Sequence, residues 1–82
     1  MSEWTDGLAR TLGVTALDEA HEASLLRVSR EVAHRVERTA TPLSAYLAGV
    51  AAGGQIAGGV DPAAAFDSVV ERLGTALPPA EP

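Results

Sequence analysis

Cysteine is absent from this chain of 82 residues. Its absence excludes a disulfide framework, a thiolate zinc site and a cysteine nucleophile. Lysine is absent too. The six basic residues are all arginine, set against eleven acidic ones, for a formal charge of −5. Together with the abundant alanine and glycine, this arginine-only usage reads as a bias toward GC-rich codons. A chain so poor in positive charge lacks the basic footprint that general nucleic-acid binding requires. Rings are scarce as well: Trp4, Tyr46 and Phe66 are the only Trp, Tyr and Phe residues.

The shortage of large side chains has an energetic consequence. Hydrophobic residues make up 46% of the chain, which is ordinary for a globular domain, but many of them are alanine. A domain of this size hides only roughly 60–65% of its unfolded surface. At ~25 cal/mol per Å² of buried apolar area, the margin over chain entropy is thin. A partner, a second copy or a fused neighbour would widen it.

The start of the chain, Met1-Ser2-Glu3-Trp4-Thr5-Asp6, carries neither the basic head nor the apolar run of a secretory signal. A cytoplasmic location is the expectation. From Thr39 to Val60 there is no charge, and that length could span a bilayer. Five glycines, a glutamine and a proline dilute it, and its large aliphatics are Leu43, Leu47, Val50, Ile56 and Val60. A buried helix followed by a glycine-rich turn fits better than a membrane span.

Four segments carry helical periodicity. The first spans about 3–12, with Ser2 as candidate cap, a stripe of Trp4, Leu8 and Leu12, and Gly13 where a left-handed stop belongs. The second spans about 17–38. On a helical wheel Leu25, Val28, Val32 and Val36 share one face, opposite Arg27, Arg30, Glu31, His34 and Arg38. The third opens at Thr41-Pro42, a cap followed by a first-turn proline. Leu43, Tyr46, Leu47 and Val50 line one of its faces, and Ala45, Ala48, Gly49 and Ala52 the other. Gly49-x-x-x-Gly53 is a spacing that lets a neighbouring backbone come close. The run from Gly53 to Gly59 reads as the breaker. The fourth opens at Asp61-Pro62, carries Phe66, Val69, Val70, Leu73 and Leu77, and ends at Pro78-Pro79.

These segments predict an all-α fold, a small antiparallel four-helix bundle over 1–77 with a loose Pro-rich tail over 78–82. The expected core is Trp4, Leu8, Leu12, Leu25, Val28, Val32, Val36, Leu43, Leu47, Val50, Phe66, Val69, Val70 and Leu73.

Catalytic and metal signatures are weak. Glu31-x-x-His34 and Asp18-x-x-His21 have the i, i+3 spacing of carboxylate-bridged di-iron bundles. Thirteen residues apart, the two pairs point about 140° away from each other on one helix. The pair at 31 and 34 also faces away from the valines. No metal site is expected. His34 has the side chain of a general base but no hydroxyl partner at a motif spacing, so a solvated surface residue is the simpler reading. The glycines at 53–59 have no lysine after them in the P-loop pattern, so a plain loop is expected there. Arg27, Arg30, Arg35 and Arg38 put four cations within twelve residues, with Glu31 and Glu37 among them. They read either as a solvated face laced by pairs such as Glu31 with Arg35, or as a surface for an acidic partner or a phosphate-bearing ligand.

Residues 32–53, VAHRVERTATPLSAYLAGVAAG, resemble the core of a small actinobacterial helical domain family of unknown function (DUF6457). Trp4, Leu8 and Leu12-Gly13-Val14 also fit its pattern, while Thr39 stands where the family tends to have proline. Such domains occur alone or fused to proteins resembling the molybdenum cofactor guanylyltransferase. The resemblance implies an accessory role in assembling the molybdopterin guanine dinucleotide, or in delivering it to a molybdoenzyme. Its polar motif positions fall here on His34, Glu37 and Arg38.

The expectation is a non-enzymatic accessory domain, with no cofactor of its own and no nucleic-acid or membrane partner. It would bind a cofactor-assembly protein or a molybdoenzyme. Its contact would be the face formed by Arg27, Arg30, Glu31, His34, Glu37 and Arg38, or the small-residue helix. The alternative is a structural small subunit or homodimer without ligand, and a third reading is a binder of phosphorylated small molecules through the arginines.

Overall fold

A computed structural model describes residues 3–80. Those residues form four helices and no strand: α1 (Glu3–Leu12), α2 (Glu19–Arg35), α3 (Ala40–Ala57) and α4 (Pro62–Ala76). The expected all-α, four-helix fold is what the chain adopts. Ser2, the expected cap of α1, lies outside the described residues. No helix among those described is long and apolar enough to cross a membrane.

The helix ends follow from local chemistry. Asp18 caps α2, its Oδ1 accepting from the His21 amide at 2.8 Å. Asp61 caps α4, accepting from the Ala64 amide at 3.2 Å, with Pro62 in the first turn where its missing N–H costs nothing. α1 and α3 share one way of stopping. The Val14 amide donates to the Ala9 carbonyl and Gly13 to Arg10, while Val60 donates to Gln55 and Gly59 to Ile56. Both are Schellman closures, and they require a left-handed residue that glycine supplies, at φ +71° for Gly13 and +100° for Gly59.

Three boundaries differ from the sequence expectation. α2 ends at Arg35 rather than near Arg38, and Val36 is its C-cap. α3 starts at Ala40 with Thr39 as N-cap, and Thr39 makes no side-chain capping bond. The expected break at Gly53-Gly54 is absent, because the helix runs through both to Ala57. A helical glycine costs only about 1 kcal/mol. The stop therefore falls at Gly59, where the left-handed residue is followed by apolar Val60 and the closing hydrogen bonds form.

A comparison of glycines tests this reading. Gly13→Ala places a Cβ on a left-handed residue and should lower stability by about 1–2 kcal/mol. Gly74→Ala within α4 meets nothing within 4 Å and should raise it by about 0.5–1 kcal/mol. Urea midpoints of the two variants against the parent chain measure both signs.

α3 packs most extensively on α4, and α2 touches both. α1 makes no close backbone contact with the other three helices. The radius of gyration is accordingly 13.2 Å, and the extents are 41 × 29 × 20 Å. A compact domain of this length would have a radius near 12 Å by ~2.2·N^0.38.

The buried core is small: Ala9, Val28, Val32, Ala65 and Val69. Leu25, Phe66, Val70 and Leu73 are half-buried. Trp4, Leu8, Leu12, Val36, Leu43, Leu47 and Val50, all expected inside, are exposed. Ala9 and Ala65 are buried without having been expected.

The largest correction concerns α3. Its half-buried positions include Thr41, Ser44, Ala45, Ala48 and Ala52, whereas Leu43, Tyr46, Leu47 and Val50 face out. The helix turns its small residues toward α2 and α4 and its large ones away. Small side chains let helix axes come together, which suits α3 for a close seat between two neighbours. The seat is not filled. A cavity of about 220 Å³ remains where Ala45, Ala48, Gly49 and Ala52 face Leu17, Leu25, Phe66, Val69 and Val70.

Candidate functional site

The polar residues singled out in the sequence do not form one continuous row. Val28 and Val32 are buried on the inner side of α2, and Arg27, Arg30 and His34 are exposed on its outer side. The inside-outside division of the helix therefore matches the valine and arginine pattern. Past Arg35 the row breaks, because Glu37 and Arg38 lie in the connection of residues 36–39. There Glu37 accepts from the Thr39 hydroxyl at 2.8 Å, and the Glu37 and Arg38 carbonyls accept from the amides of Ala40 and Thr41. These contacts shape the turn into α3. The departure from proline at Thr39 thus has a local consequence: its hydroxyl gives Glu37 a partner.

Glu31 and Arg35 form the expected i, i+4 pair, with Arg35 Nε at 3.4 Å from Glu31 Oε2. The contact is a charge pair without hydrogen-bond geometry, and Arg35 Nε is left without an acceptor. Both side chains are partly solvated, so the pair contributes a few tenths of a kcal/mol.

A groove of about 460 Å³ runs between α2 and α4. Arg27, Glu31 and Arg35 line one wall, and Asp67 and Glu71 the other. Three carboxylates and two guanidiniums line it, with Glu31 on the same wall as the guanidiniums. Such a balance disfavours a phosphate, which gains most from unopposed arginines. It leaves a mixed-charge rim suited to polar contacts around a protein interface.

Asp18 and His21, read in sequence as a possible half of a metal motif, have structural work. Beyond the cap, His21 Nδ1 lies 3.2 Å from Asp18 Oδ2, and Nε2 lies 3.6 Å from Asp67 Oδ1 on α4. The ring packs at a tilt on Phe66, with centroids 4.4 Å apart. His21 therefore ties the start of α2 to the first half of α4. Among the described residues, no group of three or more His, Asp or Glu side chains is placed to hold a metal ion.

The feature that dominates the surface is apolar. Trp4 is 72% exposed, Tyr46 72% and Leu47 67%, joined by Leu8, Leu12, Leu43 and Val50. They fall into two stripes. Trp4, Leu8 and Leu12 repeat every fourth residue along α1, and Leu43, Tyr46, Leu47 and Val50 lie within about 100° of arc on α3. Total accessible surface is 5975 Å². A folded monomer of 8.4 kDa exposes roughly 4,600 Å² by the usual mass scaling, so this chain carries about 1,400 Å² more than its size requires. Patches above a few hundred Å² on a soluble monomer mark contact sites.

Sequence reasoning recognised the two faces of α3 but assigned the wrong one to the core. It also placed the α1 stripe inside. Gly49 and Gly53, expected to admit a neighbouring backbone, have open space where a Cβ would stand. Among the described residues, no neighbour uses that spacing.

Comparison with curated proteins and with solved structures returned no match. Residues 1–81 match the model of the family described as Domain of unknown function (DUF6457), and the chain belongs to that family.

Proposed function

We propose that this protein is a non-catalytic accessory domain that acts by docking to protein through the outer faces of α1 and α3. The observation that carries this reading is the outward turn of Leu43, Tyr46, Leu47 and Val50. Burying a large aliphatic or aromatic side chain stabilises by about 1.5–3 kcal/mol. A chain with so small a core leaves four such residues on one helix in water, while the small side of that helix faces inward. The arrangement is favourable when another protein surface covers the large side.

The resemblance of residues 32–53 supports placing this docking within molybdenum cofactor metabolism. The partner is then a protein that assembles the molybdopterin guanine dinucleotide, or a molybdoenzyme that receives it. His34, Glu37 and Arg38 are the candidate polar contacts, and the location is cytoplasmic. Affinity capture from the native host, with the intact chain and with Leu47→Glu in parallel, tests the reading. Recovery of a cofactor-assembly protein or molybdoenzyme by the intact chain, lost with Leu47→Glu, is the expected result. Equal recovery by both would remove α3 from the contact. Recovery of neither class of protein would remove the cofactor link.

A second reading, a homodimeric structural subunit, is favoured by one specific observation. The two exposed apolar stripes, on α1 and on α3, occur in the same chain and find no cover among its described residues.

A further inference from the structure

We infer that two copies of this chain exchange their first helices. The Trp4, Leu8 and Leu12 stripe of each copy lies on the Leu43, Tyr46, Leu47 and Val50 face of the other, in a two-fold symmetric dimer. The inference rests on the reading that protein covers these faces, and it names a second copy as the cover.

Three observations converge on this occupant. The first is mutual need. α1 is a regular helix closed by its own Schellman stop, yet it makes no close backbone contact with the other helices, and α3 lacks a cover of the same apolar character. A two-fold axis satisfies both at once, because each chain gives one helix and receives one. The exposed segment 13–18 between α1 and α2 serves as the hinge.

The second observation is area. The excess of about 1,400 Å² per chain is shared among the two stripes and other exposed apolar residues such as Val14, Leu26, Val36 and Val60, so the stripes supply part of it, and a dimer that covered all of it would bury roughly 2,800 Å² in total.

The third is charge. Each copy carries −5, so bringing two together is opposed wherever like charges meet. α3 has no Asp, Glu, Lys or Arg anywhere in its eighteen residues. It is the one helix on which a second copy can settle without facing its own charge. The acids and the arginine of α1, Glu3, Asp6 and Arg10, lie off the Trp4, Leu8 and Leu12 stripe.

Sedimentation equilibrium combined with Trp4 fluorescence tests the exchange, since Trp4 is the chain's only tryptophan. The expected mass is twice 8.4 kDa at micromolar concentration. Tryptophan emission should be blue-shifted in the dimer and move to the red on dilution, in step with the mass. Leu47→Glu should weaken association at least ~30-fold while keeping helical circular dichroism, because Leu47 contributes little to its own chain's core. Leu43→Glu serves as a second probe should Leu47→Glu fold poorly. A monomer with blue-shifted Trp4 at every dilution would mean that α1 closes on its own α3 and would overturn the exchange. A dimer with solvent-exposed Trp4 would overturn it as well. A monomer that still captures a cofactor-assembly protein through Leu47 would overturn the exchange alone and leave the docking reading standing. A dimer indifferent to both α3 variants would remove the shared surface and both readings together.

Discussion

Val32→Asp is expected to abolish cooperative folding. Val32 is 1% exposed and, among the described residues, is the one large side chain that is fully buried. It sits on the inner side of α2, where Val28 is also buried, and α2 touches both α3 and α4. Arg27, Arg30 and His34 are exposed on the other side of the helix, and the nearest cation, Arg35 one turn on, is already paired with Glu31 at 3.4 Å. The effective penalty for an unpaired buried ion is several kcal/mol. Total stability at about 0.05–0.15 kcal/mol per residue amounts to roughly 4–12 kcal/mol for this length, and five buried residues place the chain near the lower end. Loss of the helical circular dichroism signal at 25 °C is the expected readout. His34→Asp, two residues along and exposed, is the matching control and should shift the urea midpoint by less than about 0.5 kcal/mol equivalent. Similar behaviour of the two variants would contradict the inward assignment of the valine face.

Trp4→Ala is expected to separate association from folding. The ring is 72% exposed and lies on the side of α1 away from buried Ala9, so its removal takes little from the isolated chain. Tryptophan is the residue most often found at the energetic centre of interfaces, where truncation costs about 2 kcal/mol or more. A loss of that size corresponds to at least ~30-fold weaker association. Urea unfolding of the dilute monomer should be unchanged within ~0.5 kcal/mol, while the dissociation constant rises. A variant that unfolds more readily at every dilution, with unaltered association, would place Trp4 in its own chain's core instead.

Much of the fold was legible in the residues themselves. α1 runs from Glu3 to Leu12 as the periodicity of Trp4, Leu8 and Leu12 indicated, and Gly13 stops it. Asp61-Pro62 opens α4 as a cap followed by proline. These features depend on neighbours within one helical turn, which a sequence displays directly. The division of α2 into a buried valine side and an exposed arginine side was equally visible over Val28 to His34, because its polarity contrast is strong.

α3 was not legible in the same way. Every residue from Ala40 to Ala57 is uncharged, so periodicity could not say which side faces the bundle. Placing Leu43, Leu47 and Val50 inside assumed that burial is completed within one chain. Their exposure follows once the cover comes from outside. The stop at Gly59 instead of Gly53 has a related origin. Glycine permits a left-handed stop without dictating one, and the hydrogen bonds from Gly59 and Val60 that close α3 form only at the second cluster. The polar surface was legible as a list of residues but not as a site. Glu37 and Arg38 left the helix because it ends at Arg35, and the carboxylates opposite Arg27 come from α4, far along the chain.

Hydroxyl-radical footprinting of Leu43, Tyr46 and Leu47 across a dilution series measures the cover on α3 most directly. A covered outer face predicts strong protection at high protein concentration and rising reactivity as the assembly dissociates. Full reactivity of all three side chains at every concentration, and in the presence of host proteins, would contradict it.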